Sequence, residues 1–241
     1  MKRLTVGIVF ADSMEYAPFL NTVKNLNGFN CKESIRFGNE SAEGIISDGE
    51  NEIEVVAVKC GIGKSNAASA TAFLIGSDKA DVILNAGLSG AVQKLRREDI
   101  VAGTSYIECD FDLTAVGNPL GVKAGGQKYL YSADSKLLSL LCDKYKKAAL
   151  GTGDLFLADK VKKDLYKDTF NIEAFDMETG AIASVCDKCN IPFLSLRKIS
   201  DDADDASVSD YREMNQRQEV ALSEILIELL QDMLKEKSFF A

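Results

Sequence analysis

Four carboxylate residues lie at the ends of strand-like runs or at the start of helical patterns. They are Glu15, Asp154, Glu178 and Asp201. The sequence contains no histidine, which excludes Ser–His–Asp and Cys–His catalysis and nearly all zinc sites other than pure thiolate ones. Acid–base chemistry therefore falls to carboxylate, lysine, tyrosine or cysteine side chains, and we expect no metal and no cofactor.

The run CGIGKS at residues 60–65 ends like a nucleotide-triphosphate loop. Such a loop needs a glycine five positions before the glycine of GK, because backbone N–H groups across the whole turn surround the phosphates. The glycine of GK is Gly63, and the position five before it is Val58, a residue type that favours an extended strand. The triplet is half a motif and does not predict ATP or GTP hydrolysis.

The cysteines are scattered, with one close pair. Cys186 and Cys189 have the C-x-x-C spacing of redox and metal sites, but no second such pair completes a four-thiolate zinc site. The pair falls toward the end of a helical pattern, so we interpret both as small buried or half-buried thiols. Free cysteines of this kind fit a reducing cytoplasm, which is the expected location.

The balance of charge limits the possible partners. The 241 residues include 28 Lys and Arg against 37 Asp and Glu, which gives a net charge of −9. A protein that tracks nucleic-acid phosphates needs a basic face, so no nucleic-acid partner is expected. The longest apolar runs fall short of a bilayer span, and the N-terminal run is interpreted as a buried strand, so no membrane partner is expected either.

The elements that must position the carboxylates alternate along the chain. Strand-like runs cover residues 4–11, 53–60, 81–87, 99–107, 149–153 and 192–200, and helical patterns cover residues 14–26, 63–77, 134–147, 178–189 and 212–236. Apolar strands that alternate with amphipathic helices predict an α/β fold, a single domain over residues 1–241 with a central mixed β-sheet flanked by helices. Such folds bind ligands beyond the carboxyl ends of the strands.

Several motifs in this order resemble one known family. They are GIVFADSMEYAPF, KCGIGKSNAA, DVILNAGLSGAV, DFDLTAVG, TGDLF, AFDMETGAIASVC and IPFLSLRKISDDAD. The chain is similar to the nucleoside phosphorylase/nucleosidase superfamily, and most of all to the 5′-methylthioadenosine/S-adenosylhomocysteine nucleosidases. The resemblance implies cleavage of the bond between ribose C1′ and a purine nitrogen. It also implies that the GIGK turn is a tight strand-to-helix junction near the site.

The resemblance also implies the roles of single residues. Asp201 matches the acid that protonates the purine N7, a role that needs a raised pKa, and Glu15 matches the residue that activates the attacking water. Glu178 matches the carboxylate that accepts hydrogen bonds from the ribose hydroxyls. The other expected substrate-binding residues are Met177 along the sugar, Phe156 and Leu157 at the purine, Ser200, Gly87, Leu88 and Tyr211. Asp154 could equally be a structural turn residue.

The nucleophile distinguishes the branches of the superfamily. Phosphorylases of this kind have an early G-x-P-x-R stretch and an arginine before a G-S/T-x-G turn, whereas this chain has FADSMEY and Asn85 at those places. Glu15 would also repel phosphate, so water is the preferred nucleophile. A phosphate-dependent purine nucleoside phosphorylase is the first alternative, and a nucleoside-binding protein without turnover is the second.

Four departures from the family pattern leave the 5′ substituent of the nucleoside open. The nucleosidases usually read G-S-A-G where this chain has Leu88 and Ser89 between two glycines, and Asp12 stands where an apolar residue is usual. Cys109 and Val116 replace a histidine and an aromatic in a stretch that often reaches the neighbouring subunit's site. The substrate could be methylthioadenosine, S-adenosylhomocysteine, or another nucleoside such as futalosine or inosine. A homodimer is expected.

Overall fold

The strands form one mixed sheet in the computed structural model, which describes residues 2–141, 144–204, 207–216 and 221–240. The strands are β1 (Lys2–Phe10), β2 (Lys32–Arg36), β3 (Asn39–Ser47), β4 (Asn51–Lys59), β5 (Val82–Ala91), β6 (Ile100–Glu108), β7 (Leu130–Ser132), β8 (Lys146–Thr152), β9 (Ala174–Asp176) and β10 (Phe193–Asp201). The helices are α1 (Ser13–Lys24), α2 (Lys64–Gly76), α3 (Ser135–Leu140), α4 (Lys160–Phe170), α5 (Thr179–Cys189), α6 (Ser207–Gln216) and α7 (Ala221–Lys235).

Five of the strands close on themselves. Strand β5 pairs with β10, β10 with β6, β6 with β8, β8 with β9, and β9 with β5 again. The first part of β5, residues 82–85, also pairs with β1, and β4, β3 and β2 extend the sheet from there. The molecule therefore combines a small closed ring of strands with an open sheet that shares β5.

Strand directions bring one set of strand ends together. Strands β1, β5 and β10 are parallel, so their carboxyl ends meet at one edge. Strand β9 runs antiparallel to β5, and its Phe175 and Ala174 pair with Gly90 and Ala91 at the end of β5. The segment that follows β9 thus returns alongside the same edge, where the sequence predicted a ligand site.

Two apolar layers hold the sheet between helices. On one face Phe10 and Phe19 pack with residues of α7 such as Leu230, all of them buried. On the other face α2 and α5 pack against the sheet, with Ile83 of β5 and Ile182 of α5 fully buried. This is the predicted architecture of a mixed sheet flanked by helices.

All six predicted strands are present, with ends shifted by a few residues. The helix predicted over residues 134–147 is wrong after residue 140, since Lys146–Thr152 forms β8 and residues 142–143 lie outside the described residues. The Lys- and Ala-rich run KKAAL has high helix propensity, but its pairing with β6 and β9 overrides that preference. The single helix predicted over 212–236 corresponds to α6 and α7, and residues 217–220 are not described.

The prediction also missed four strands and one helix. Strands β2 and β3 form a polar antiparallel hairpin at the sheet edge, in which few side chains are buried. Strands β7 and β9 have three residues each, too few for an alternation pattern. Helix α4 is a surface helix with Tyr166 as its buried residue.

The cysteines in the described part of the chain are all free thiols. Cys186 is buried and Cys189 is exposed, both near the end of α5, while Cys142 lies outside the described residues. None of the helices that can be described is both long and apolar enough to cross a bilayer.

Candidate active site

A cavity of about 300 Å³ opens at the shared edge of strand ends, a size typical of small-molecule sites. Of the predicted catalytic and substrate-binding residues, all but Gly87 line it: Glu15, Leu88, Phe156, Leu157, Met177, Glu178, Ser200, Asp201 and Tyr211. The structure thus brings together residues from segments that are far apart in sequence. Their individual roles stay predictions.

Glu15 lies in the first turn of α1 and is held by two backbone amides. Its Oε2 accepts a hydrogen bond from the Ala11 N–H at 2.9 Å, and its Oε1 accepts one from the Leu88 N–H at 2.9 Å. Burial raises the pKa of Glu15 from 4.5 to about 8, although the Arg197 guanidinium acts in the opposite direction. A carboxylate with a pKa this close to neutrality is suited to act as a general base.

Gly87 contributes space and does not line the cavity. A Cβ atom at this position would overlap the Glu15 carboxylate and the guanidinium of Arg197. Only glycine lets the strand backbone approach both groups. The sequence prediction that Gly87 belongs to the site therefore has a physical reason, which is steric.

Arg197 lies beneath the cavity in the middle of β10 and is wholly buried. Its Nη2 is 3.1 Å from Asp176 Oδ2 and 3.6 Å from Glu178 Oε2, and it donates to Thr179 Oγ1 at 2.6 Å. Nη1 donates to the Leu88 carbonyl at 3.3 Å. A buried cation needs such partners. Arg197 thus links β10, which ends in Asp201, to the carboxylates of Asp176 and Glu178.

Glu178 is the N-cap residue of α5 and is almost fully buried. Its Oε1 accepts a hydrogen bond from the Gly63 N–H at 3.0 Å. Gly63 has φ = 99°, a conformation that favours glycine. Burial raises the pKa of Glu178, while Arg197 lowers it. The GIGK turn therefore uses its backbone to hold a carboxylate of the site, and not a triphosphate.

Asp201 ends β10 where a register shift interrupts the pairing with β5. The carboxylate is 2% exposed, accepts the Ser200 hydroxyl at 2.7 Å and accepts the Ala203 N–H at 2.9 Å. Burial raises the pKa of Asp201, and these hydrogen bonds oppose the shift. A raised pKa is what a carboxyl group needs in order to act as an acid.

Aromatic side chains form the outer wall of the cavity. The Phe156 and Tyr211 rings meet edge-on, with centroids 5.4 Å apart and an interplanar angle of 70°. Phe156 is 42% exposed, so an apolar ring face remains open to a ligand. The Tyr211 hydroxyl donates to Asp12 Oδ2 at 3.4 Å, and Asp12 Oδ1 caps α1 by accepting from the Met14 and Glu15 amides.

A model of the phosphorylase superfamily matches residues 5–231. The chain belongs to that superfamily. It is 33% identical over 189 residues to the 5′-methylthioadenosine/S-adenosylhomocysteine nucleosidase of Anoxybacillus flavithermus, covering 74% of this chain and 80% of the relative. It is 29% identical over 218 residues to the aminodeoxyfutalosine nucleosidase of Campylobacter jejuni, covering 87% and 91% of the two chains.

The fold of this superfamily member matches solved structures over nearly its whole length. The 5′-methylthioadenosine/S-adenosylhomocysteine nucleosidase of Helicobacter pylori superposes with a TM-score of 0.88 at 24% identity, covering 96% of this chain and 100% of that one. The family resemblance and the fold class predicted from the sequence are therefore confirmed.

Asp154 supports the fold of this phosphorylase-superfamily chain from outside the cavity. Its Oδ1 accepts the Lys64 N–H at the start of α2, at 2.8 Å. Its own N–H donates to Asp110 Oδ2 at 2.8 Å. These contacts are those of a structural turn residue, which was one of the two interpretations of Asp154 from the sequence.

Some departures from the superfamily pattern lie at the cavity and others do not. Leu88, Ser89 and Asp12 all line the cavity. Cys109 is wholly buried inside its own chain and is not placed to reach a neighbouring subunit, whereas Val116 is 72% exposed. The cavity thus differs from the family pattern on the sides formed by β5 and by the start of α1.

Sequence reasoning missed the two buried charges of this site, Arg197 and Asp176. Arg197 had a signal, since an arginine in the apolar run LSLRKIS must be paired if the strand is buried. Asp176 accepts hydrogen bonds from Thr152 Oγ1 at 2.9 Å and from the Glu178 and Thr179 amides at 3.0 and 2.9 Å. Both residues contact Glu178 and thereby orient it.

Proposed function

We propose that the protein is a purine nucleosidase, an enzyme that uses water to cleave the N-glycosidic bond of a nucleoside of the 5′-methylthioadenosine/S-adenosylhomocysteine type. The observation that carries the proposal is that three carboxyl groups with raised pKa values, those of Glu15, Glu178 and Asp201, face one cavity. Each is held by different hydrogen-bond donors. The similarity to curated nucleosidases supports the same reaction class.

The proposed chemistry divides the work between two of these groups. Protonated Asp201 donates its proton to the purine N7, and the bonding electrons of the C1′–N9 bond leave with the base. Ionised Glu15 takes a proton from water as the water oxygen bonds to C1′. Each group contributes a proton transfer, and the anionic surroundings stabilise the positive charge that develops on the ribose.

Glu178 is the proposed partner of the ribose 2′- and 3′-hydroxyls. A carboxylate offers two acceptor oxygens at the right spread for vicinal hydroxyls. The Gly63 amide and Arg197 hold the group in place. The Met177 side chain then lies along the sugar, and Phe156 and Leu157 meet the purine, as the family resemblance implies.

Water is favoured over phosphate by the charge of the cavity wall. Among the described residues that line the cavity there is neither a lysine nor an arginine. The nearby Arg197 is wholly buried and engaged by Asp176 and Thr179. Asn85, which replaces the arginine of phosphorylases, donates to the Val9 carbonyl at 2.9 Å and is a core residue. A phosphate dianion would lack a cationic partner here.

A futalosine-type nucleoside is the second candidate substrate. It is favoured by the similarity to the Campylobacter jejuni aminodeoxyfutalosine nucleosidase, which extends over 87% of this chain. Both candidates share the purine riboside and differ in the 5′ substituent. Which of the two nucleosides is the substrate therefore depends on the part of the cavity that would receive the 5′ substituent, where Asp12 and Tyr211 lie.

We also propose a homodimer in the cytoplasm. Ile62 in the cavity wall and Val116 are 52% and 72% exposed, and a second copy that covers them would shield the cavity from solvent. The free thiols fit a reducing compartment. Light scattering on the purified protein tests the dimer, and a monomer at assay concentration contradicts it.

The experiment that tests the function incubates the protein with methylthioadenosine, S-adenosylhomocysteine, aminodeoxyfutalosine and inosine, each with and without phosphate. We expect free adenine from the thio-nucleosides without phosphate, and the ribose that still carries the 5′-thio substituent as the second product. Release that needs phosphate and yields a sugar 1-phosphate would instead identify a phosphorylase. Tight binding without release would identify a binding protein.

A further inference from the structure

Ser89 on β5 has a buried hydroxyl that lacks a hydrogen-bond partner. The residue is 3% exposed, and its Oγ bonds to none of the residues that the structure describes. The other atom of this kind in the described residues is Asp78 Oδ2, whose carboxylate pairs with Arg36 through the second oxygen. Buried polar groups normally have a partner, so the hydroxyl of Ser89 needs an explanation.

The position of Ser89 connects it with the cavity. Ser89 is one of the residues that line it. Side chains alternate along a strand, so Ser89 shares a face with Gly87, whose Cα lies against Glu15 and Arg197. The next residue, Gly90, lies against the Asp201 carboxylate. Ser89 therefore lies on the strand face that Glu15 and Arg197 approach, one residue before the contact of Gly90 with Asp201.

The backbone of Ser89 is held by contacts that do not use its hydroxyl. Its carbonyl accepts the Ser200 hydroxyl at 3.3 Å, and its strand pairs with Ile199 of β10. Both contacts are with β10. The hydroxyl itself has no partner among the described residues and belongs to a residue that lines the cavity.

We propose that Ser89 is a substrate-recognition residue, whose hydroxyl forms a hydrogen bond with the glycosidic end of the bound nucleoside. The partner is a hydrogen-bonding atom beside the bond to be cleaved, either the purine ring nitrogen N3 or the ribose 2′-hydroxyl. The proposal rests on the proposed function. It assigns to Ser89 a contact that depends on the Leu88–Ser89 pair of this chain, within β5.

The proposal predicts that removal of the Ser89 hydroxyl affects protein stability and ligand affinity differently. In the free protein the hydroxyl is buried and unpaired, so its removal leaves the free energy of unfolding unchanged or raises it. In the complex its removal takes away one hydrogen bond. A hydroxyl with a merely structural role would behave in the opposite way, since its loss would lower stability and leave affinity unchanged.

The test measures binding by calorimetry with a C-nucleoside analogue of 5′-methylthioadenosine, in which carbon replaces N9 so that no hydrolysis occurs. Two further probes lack N3 or the 2′-hydroxyl. We expect Ser89→Ala to weaken binding of the parent analogue about 3- to 10-fold, the value of one neutral hydrogen bond. Ser89→Cys keeps most of the side-chain volume and is expected to bind almost as weakly as Ser89→Ala.

The pattern across probes identifies the bonded atom. If N3 is the partner, the wild type binds the probe that lacks N3 more weakly than the parent analogue, whereas Ser89→Ala binds the two equally. If the 2′-hydroxyl is the partner, the probe that lacks this hydroxyl gives the same pattern. Ser41→Ala is the matched control, because Ser41 is 2% exposed on β3 and its hydroxyl is already bonded to the Ser34 carbonyl at 3.0 Å. The Ser41→Ala variant should have a lower free energy of unfolding and should bind the analogue as the wild type does.

Failure of the two proposals can be told apart. A wild-type protein that binds no analogue overturns the proposed function and this inference with it. A wild type that binds, with Ser89 variants that bind all three probes as the wild type does, overturns the role of Ser89 and leaves the function standing.

Discussion

The Leu88 amide donates a hydrogen bond of 2.9 Å to Glu15 Oε1, a contact between residues 73 positions apart. It joins the first turn of α1 to the middle of β5. The donor is a backbone group, so it is present whichever side chain stands at position 88. The replacement of the usual serine by leucine therefore leaves Glu15 in position and changes only the side chain beside it.

The first prediction concerns Glu15→Gln. The variant keeps the size of the side chain and one acceptor oxygen but cannot take a proton from water. We expect kcat to fall about 10²- to 10⁴-fold, the usual value of one proton transfer, while the C-nucleoside analogue binds with little change. Steady-state kinetics and calorimetry check this. A variant with more than a tenth of wild-type kcat would contradict the role of Glu15.

The second prediction concerns pH. Glu15 must be ionised to act as a base, and burial raises its pKa to about 8, so kcat/KM should rise with pH up to about 8. Asp201 must be protonated, so its contribution to kcat/KM should fall as pH rises through its raised pKa. A pH profile of kcat/KM checks both limbs. The rising limb should be absent from the residual activity of Glu15→Gln.

Stability provides a second readout of the same pKa. Because the folded-state pKa of Glu15 lies above its value of 4.5 in the unfolded chain, the folded state holds the proton more tightly. The wild type should lose stability relative to Glu15→Gln as pH rises from 4.5 through about 8. Denaturant unfolding of both proteins at several pH values measures this difference, and parallel curves would argue against the raised pKa.

The third prediction concerns Asp201→Asn. An amide cannot protonate the purine, so we expect kcat for purine nucleosides to fall about 10²- to 10⁴-fold. A 4-nitrophenyl riboside has a leaving group that needs no proton, and the variant should keep most of its activity on it. Asp202→Asn is the control, since Asp202 is an exposed neighbour in the same segment. Equal losses on both substrates would point to a structural defect instead.

The fourth prediction concerns Gly87→Ala. The added methyl group overlaps Glu15 and Arg197, so these side chains must move and activity should fall at least about tenfold, with a loss of stability of about 1–3 kcal/mol. Gly76→Ala is the matched control, because a Cβ there meets no atom within 4 Å. It should retain full activity. A fully active Gly87→Ala enzyme would show that the approach of strand and carboxylate is not required.

The fifth prediction concerns the 5′ substituent. Asp12→Asn removes a negative charge from the cavity wall and keeps a good N-cap residue for α1. We expect kcat/KM for an adenosine with a carboxylate on its 5′ substituent to rise about 2- to 10-fold relative to methylthioadenosine, since repulsion in a protected site is a few tenths to about 1.4 kcal/mol. Competition between the two substrates in one reaction checks this. An unchanged ratio would place the 5′ group away from Asp12.

The sequence predicted those site residues that lie at the ends of strands and helices with a clear hydrophobic pattern. Asp201 and Glu178 follow or begin elements with clear patterns, so their place at the edge of the sheet could be predicted from strand ends. Arg197 and Asp176 were missed because each has its role through the ion pair with the other. They are close in space because β9 and β10 both pair with β5. Pairwise tertiary contacts of this kind leave no periodicity in a sequence.

The missed hairpin has a different reason. Strands β2 and β3 are held by pairing with β4 and each other at an edge that is largely exposed, so their side chains are polar and do not alternate clearly. Strand β8 was partly misread as helix because its Lys and Ala residues carry little β preference. In both cases hydrogen bonding to a neighbouring strand decides the structure, and a single segment does not contain that information.

The closed ring has a consequence for the order of events on the ribosome. Strand β10 is the last strand in the chain, yet it lies between β5 and β6, which are synthesised about a hundred residues earlier. The ring therefore stays open until β10 inserts between two strands that are already made, and Arg197 and Asp201 arrive with it. Contacts of such long sequence separation form slowly. A nascent or truncated chain that ends before residue 193 lacks Arg197, Ser200 and Asp201 and leaves the site incomplete, so the appearance of activity reports completion of the fold.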